Sequence, residues 1–109
     1  MASDLTPLFY MLVAHALCDF PLQGDYLARG KNHRSPIPGS PWPILLIAHA
    51  LIHGGAVALL TGSLALGLAE TAVHTVIDYA KCDGCIGYTT DQALHVLCKV
   101  VWLLVVVLT

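Results

Sequence analysis

Charge is what this chain has least of. Of its 109 residues only 5 are Lys or Arg and 7 are Asp or Glu. Soluble domains are about a quarter charged. Here the share is 11%, against 57% hydrophobic residues and a mean hydropathy of +0.74. So few bases, within a net charge of −2, form no concentrated basic face, which excludes a nucleic-acid partner. Met1 to Pro7 holds no Lys or Arg, and the apolar run after it contains His15 and Asp19, so a cleavable signal is not expected. A second CxxC is also missing. Cys82 and Cys85 form a single CDGC, and a structural zinc site usually needs two such pairs or added histidines. Asp83-Gly84 is a good tight-turn dipeptide, so a turn with incidental thiols is expected there, with a metal or redox role as the alternative. Cys18 and Cys98 lie within apolar runs and read as small buried hydrophobes.

Period-two alternation is absent as well, which excludes strands. What is present is four apolar segments, 7–20, 42–60, 64–80 and 91–109. Thr6 with Pro7 suits the start of the first, and Pro21 ends it. Thr61-Gly62-Ser63 separates the second from the third, and Thr89 or Thr90 suits the cap of the fourth. About 20 residues cross a hydrocarbon core, a length that the second and fourth segments reach and the other two do not. A soluble four-helix bundle is the competing reading. Against it, VVWLLVVVL near the C-terminus has no polar face. The expected fold is therefore all-α: a single domain forming a four-helix transmembrane bundle, up-down-up-down, with a long ordered loop between helices one and two. The Pro-rich SPIPGSPWP gives that loop its stiffness.

Four of the five bases, Arg29, Lys31, Arg34 and Lys81, fall in loops 21–41 and 81–90, while the 61–63 turn has none. The positive-inside rule then puts both loops in the cytoplasm and both termini outside.

The segment AETAVHTVID sets Glu70, His74 and Asp78 four residues apart in apolar surroundings. Every segment repeats that spacing: His15/Asp19, His49/His53, His74/Asp78 and Asp91/His95. Groups at i, i+4 share one helix face. With alternating helix directions, Asp19, His49, Asp78 and Asp91 form a layer near the cytoplasmic face. His15, His53, His74 and His95 form a second layer about 6 Å deeper. Glu70 and Lys99 reach a third, where an ion pair is expected because either charge alone is costly at that depth. Glu70 as a ligand is the alternative.

One His or Asp in a membrane helix can simply hydrogen-bond to a neighbour. Imidazoles and carboxylates gathered at one depth are metal ligands. The expected ligands are His15, Asp19, His49, His53, Glu70, His74, Asp78, Asp91 and His95, more than one four-coordinate ion needs. Two divalent cations are therefore expected, zinc first, with manganese or iron as alternatives. The chemistry implied is hydrolysis of an ester or phosphoester, with Asp91 and Asp78 as catalytic groups. Arg29, Lys31, Gln23 and Gln92 are candidate substrate contacts. For the bases, a purely topogenic role stays open. His33 reads as a solvated loop residue, and Asp25 as an interfacial one. A proton or ion relay is a competing account, but Leu59, Leu60, Leu64, Leu66, Val105 and Val106 leave the outer half apolar.

At HALCDFPLQGDYLARGKN, HALIH, ETAVHTVIDYAKC and TDQALHVLCK, the chain resembles the small phage and bacterial inner-membrane proteins grouped as domain of unknown function 3307. The resemblance implies a multi-pass protein of the bacterial (host) inner membrane. Its motif positions are His15, Asp19, Gln23, Lys31, His49, His53, Glu70, His74, Asp78, Asp91, Gln92 and His95. It supplies no reaction. A looser similarity to predicted membrane-bound metal-dependent hydrolases points toward metal-assisted hydrolysis. The bilayer is the expected partner. A homo-oligomer, an unknown substrate and a host protein remain open, as does a non-catalytic metal-stabilised protein.

Overall fold

The computed structural model describes residues 5–109, all of them helix, turn or loop. Five helices follow one another: α1 (Thr6–Asp19), α2 (Gly24–Gly30), α3 (Trp42–Thr61), α4 (Leu64–Cys82) and α5 (Tyr88–Leu108). The fifth helix beyond the four expected is α2, which folds inside the first loop and packs on α3. Gly30 sits so close to Leu45 and Ile37 that a Cβ there would collide with Leu45. That loop is accordingly an ordered cover.

Helix starts differ from the sequence expectation in small ways. Leu5, not Thr6, occupies the cap position of α1, and no side chain bonds there. Thr89 and Thr90 lie inside the first turn of α5, because Gly87 O already accepts the Asp91 N–H at 2.9 Å. Helix α4 runs on to Cys82, and the CDGC turn then closes it through Asp83 N–H to Tyr79 O at 2.8 Å.

The four long helices form a ring. Helix α1 packs on α3 and α5, and α4 packs on the same two. The α3–α4 hairpin is the tightest part. Gly62 ends α3 at φ 71°, a left-handed conformation that glycine adopts without penalty. Ser63 then caps α4, its Oγ accepting the Leu66 N–H at 3.1 Å. Gly54 and Gly67 let the two backbones touch. A Cβ on Gly67 would stand 2.6 Å from Ala58 Cβ and 2.8 Å from Gly54 O.

At the other end, loops 31–41 and 83–87 meet through Asp83, which accepts from His33 Nε2 at 2.9 Å and Arg34 Nε at 3.0 Å. His33 also stacks on Tyr79 with ring centroids 3.9 Å apart, so it is a half-buried clamp rather than a solvated residue. The His33 hydrogen bond, with Arg34 beside it, holds the Asp83 carboxyl below the usual carboxylate range. Since the folded value is the lower one, this contact contributes above the unfolded value and is lost as pH falls through the folded one.

Burial is inverted relative to a water-soluble domain. Among the described residues ten polar or charged side chains are buried, against seven apolar ones, and large apolar side chains such as Leu59, Leu64, Val76 and Val107 face outward. Helices α3 and α5 are long and apolar enough to cross a membrane by length and composition. Those are the helices of the two segments expected to reach spanning length.

Gly67→Ala is expected to destabilise by about 1–3 kcal/mol because the α3–α4 contact cannot admit a methyl group. Gly55→Ala, where a Cβ meets nothing within 4 Å, should be neutral or stabilising. Thermal unfolding of both variants checks this, and equal effects would contradict the close crossing.

Candidate metal centre

Each long helix turns its i, i+4 polar face into the ring. His15, His49, His53, Glu70, His74, Asp78, Asp91, His95 and Lys99 are all buried, and Asp19 is half-buried at the mouth. The imidazoles touch one another. His74 lies between His53 and His95, stacked on both at 3.9 and 4.0 Å between centroids. His49 sits 4.8 Å from the His53 ring and 5.0 Å from that of His74.

Two carboxylates organise the nitrogens. Asp19 Oδ1 lies 2.9 Å from His53 Nε2 and 3.4 Å from His49 Nε2. Asp78 reaches further into the cluster. Its Oδ1 is 3.0 Å from His95 Nε2, while its Oδ2 is 3.4 Å from both His49 Nε2 and His74 Nε2. Neither His49 Nε2 nor His74 Nε2 makes a hydrogen bond, although both are buried. Asp91 Oδ1, 3.2 Å from His95 Nε2, is likewise without a hydrogen bond.

Unsatisfied buried donors and acceptors are costly, so this arrangement suits an added group. Zinc bonds of 2.0–2.1 Å in a tetrahedron set ligand atoms about 3.3–3.4 Å apart. The three separations of 3.4 Å from His49 Nε2 and His74 Nε2 to the two carboxylates match that edge. Three overlapping groups bring their ligand atoms within 4.8 Å of one another: Asp19/His49/His53/His74, Glu70/His74/His95 and Asp78/Asp91/His95. These residues fit a divalent cation.

The deep end is closed by Glu70. Its Oε2 accepts from His74 Nδ1 and from Lys99 Nζ, each at 2.9 Å, and its Oε1 from Trp102 Nε1 at 2.8 Å. Glu70 thereby fixes the His74 proton on Nδ1 and turns the Nε2 lone pair inward, a common way of orienting a metal-binding imidazole. Trp102 was not foreseen from the sequence, although its position three residues after Lys99 puts it on the same face.

The mouth is closed by amides and one ammonium. Gln92 donates from Nε2 to Asp19 Oδ2 at 3.0 Å and accepts from His15 Nε2 at 3.0 Å. His15 stands at the edge and outside the three groups of ligand atoms. Gln23 donates to Asp19 O at 2.9 Å and accepts from Lys31 Nζ at 2.6 Å. Lys31 continues inward to Asp78 Oδ2 at 3.0 Å and is only 7% exposed. Arg29 does not reach the cluster. It lies on the outer face of α2, paired with the still more exposed Asp25 at 3.3 Å.

The family described as a protein of unknown function, DUF3307, matches residues 7–109, a stretch that contains every group of this centre. The chain belongs to the DUF3307 family. No curated protein and no solved structure matches it.

Breaking the deep pair from one side leaves a buried charge, so Glu70→Gln or Lys99→Met alone should cost about 3–5 kcal/mol. The double variant should recover part of that sum, because neither charge is then left alone. Unfolding measured across this four-member cycle checks the coupling, and strictly additive effects would contradict it.

Proposed function

We propose that this DUF3307 protein is a multi-pass membrane protein carrying a divalent-metal centre of hydrolase type near the cytoplasmic face. Its inverted burial supports the membrane reading, because apolar side chains facing outward suit hydrocarbon and polar ones facing inward suit a ring of helices. The exposed bases Arg29 and Arg34 and the half-buried Lys81 lie at the end where the two loops meet. That asymmetry favours a cytoplasmic position for this end, with the Ser63 turn and both termini outside. Helix α1 is about 21 Å long at 1.5 Å per residue, so the bilayer thins there or the helix sits unevenly.

The observation that carries the metal reading is the pair of buried, hydrogen-bond-free nitrogens, His49 Nε2 and His74 Nε2, each 3.4 Å from Asp78 Oδ2. Asp19, His49, His53 and His74 form one ligand set and Asp78, Asp91 and His95 a second, with zinc first by ligand type and manganese or iron as alternatives. Glu70 orients His74 rather than binding a metal. A divalent cation in these sets supplies Lewis acidity toward an ester or phosphoester and acidifies water. Asp91 offers the unengaged carboxylate oxygen that accepts the proton of an attacking water, and Asp78 holds His95 beside it. Gln92 keeps Asp91 and Asp19 in register by donating to both.

A second reading, a non-catalytic metal-stabilised protein, is favoured by the mouth, which Lys31 and Gln23 close. A transmembrane relay is disfavoured, because among the described residues no His, acidic or basic side chain lies beyond Glu70 and Lys99.

Protein purified without chelator should contain stoichiometric zinc, manganese or iron by elemental analysis. His49→Ala and His74→Ala should each lower metal affinity by about tenfold or more. Metal-free protein whose stability is indifferent to added metal would sink the centre. With metal bound, Asp91→Asn should abolish hydrolysis across a panel of chromogenic esters and phosphoesters while the Asp19/His49/His53/His74 set keeps its metal. Bound metal with no hydrolysis by the unaltered protein would select the non-catalytic reading.

A further inference from the structure

Of the three bases in the first loop, Lys31 alone turns inward. Arg29 is spent on Asp25 and Arg34 on Asp83, both at the surface. Lys31 instead enters the mouth and divides its ammonium between Asp78 Oδ2 and Gln23 Oε1. The other buried ammonium, Lys99, is held at the opposite end by Glu70. The carboxylates Asp19, Glu70, Asp78 and Asp91 thus face only two cations, Lys31 and Lys99, and two negative charges stay uncompensated while the imidazoles are neutral.

That balance changes once the centre is loaded. One divalent cation neutralises it, and a second leaves an excess of two positive charges that only an anion can offset. The same cations draw on Asp78, so Lys31 keeps one strong partner fewer. A buried ammonium facing only the neutral oxygen of Gln23 requires a new negative partner. The Gln92 amide is tied to the same end, since Gln92 and Gln23 both donate to Asp19 and Gln23 accepts from Lys31.

From this we infer that Lys31 is the substrate-recognising cation of the loaded centre, and that the group it takes is a phosphoryl dianion, as in a phosphomonoester or phosphate. In the metal-free state Asp78 stands in for that anion. The inference rests on the metal reading above and narrows its substrate class from esters in general to phosphomonoesters. Phosphate chemistry suits the site on two counts: a dianion matches the charge excess, and an ammonium recognises phosphate as a point charge without demanding a bidentate plane.

The test uses the full chain in neutral-lipid nanodiscs, loaded with zinc, with metal content measured on every sample. Inorganic phosphate is titrated by calorimetry. Loaded protein should bind phosphate and metal-free protein should not. Lys31→Met should weaken binding by about tenfold or more at unchanged metal content, as expected for loss of a charge-assisted contact. Lys31→Arg and Arg29→Ala should bind within about threefold of the unaltered protein, since a change of that size is under 1 kcal/mol. Gln23→Leu, which takes away the neutral partner of Lys31, should bind phosphate at least as tightly, and this arm stands even if Lys31→Met fails to fold. A second titration replaces phosphate with nanodiscs containing phosphatidic acid. Competition by free phosphate assigns a soluble source, and dependence on Lys31 only in the lipid form assigns a headgroup. Zinc bound with phosphate affinity independent of Lys31 in both arms, or weakened by Gln23→Leu, overturns the inference alone. Absence of bound zinc overturns the metal reading and this inference with it.

Discussion

A carboxylate enclosed by helices has to be answered by donors or cations, and Asp78 is the carboxylate on which this structure turns. Histidines of three kinds of origin converge on it: His49 from α3, His74 from its own helix and His95 from α5. Lys31 reaches it from the loop after α2. One side chain thereby links three of the four long helices to the cover at the mouth. Apolar packing between the same helices is thin, with only seven buried apolar residues among those described, so the polar contacts carry specificity that a hydrophobic core usually supplies.

The helix hairpin explains how these groups come to one height. The Gly62–Ser63 turn fixes α3 and α4 antiparallel, and the Gly54–Gly67 approach fixes how closely they lie. His53 and His74 then meet face to face at 3.9 Å. A ring of four helices needs no further device to bring His15 and His95 beside them, since α1 and α5 each pack against both neighbours in the ring. Inverted burial and the candidate metal centre are two aspects of one arrangement: apolar residues are outside while the ring is filled by imidazoles and carboxylates that could hold a cation.

Much of this was legible in the sequence because helical spacing is arithmetic. The i, i+4 pairs with alternating helix direction put Asp78, His74, His95 and their partners in two adjacent layers, and the third layer held both Glu70 and Lys99, which lie 2.9 Å apart. What spacing could not reveal lay in the loop. No periodicity marks α2, a helix of only seven residues, and nothing in RGKNHR distinguishes a base that turns inward from two that pair at the surface. His33 read as solvated because its partners, Tyr79 and Asp83, lie about fifty residues on in the chain. Caps were misplaced by one to three residues where glycine or leucine, rather than a hydroxyl, begins the helix.

The most direct measurement is anomalous scattering at the zinc edge from crystals of the zinc-loaded protein. A peak is expected about 2.0–2.2 Å from His49 Nε2 and His74 Nε2, with an oxygen of Asp19 or Asp78 completing its contacts. A peak confined to the surface around Cys82, Cys85 or His33, with His49 and His74 bound only to water or to each other's neighbours, would contradict a metal centre inside the ring.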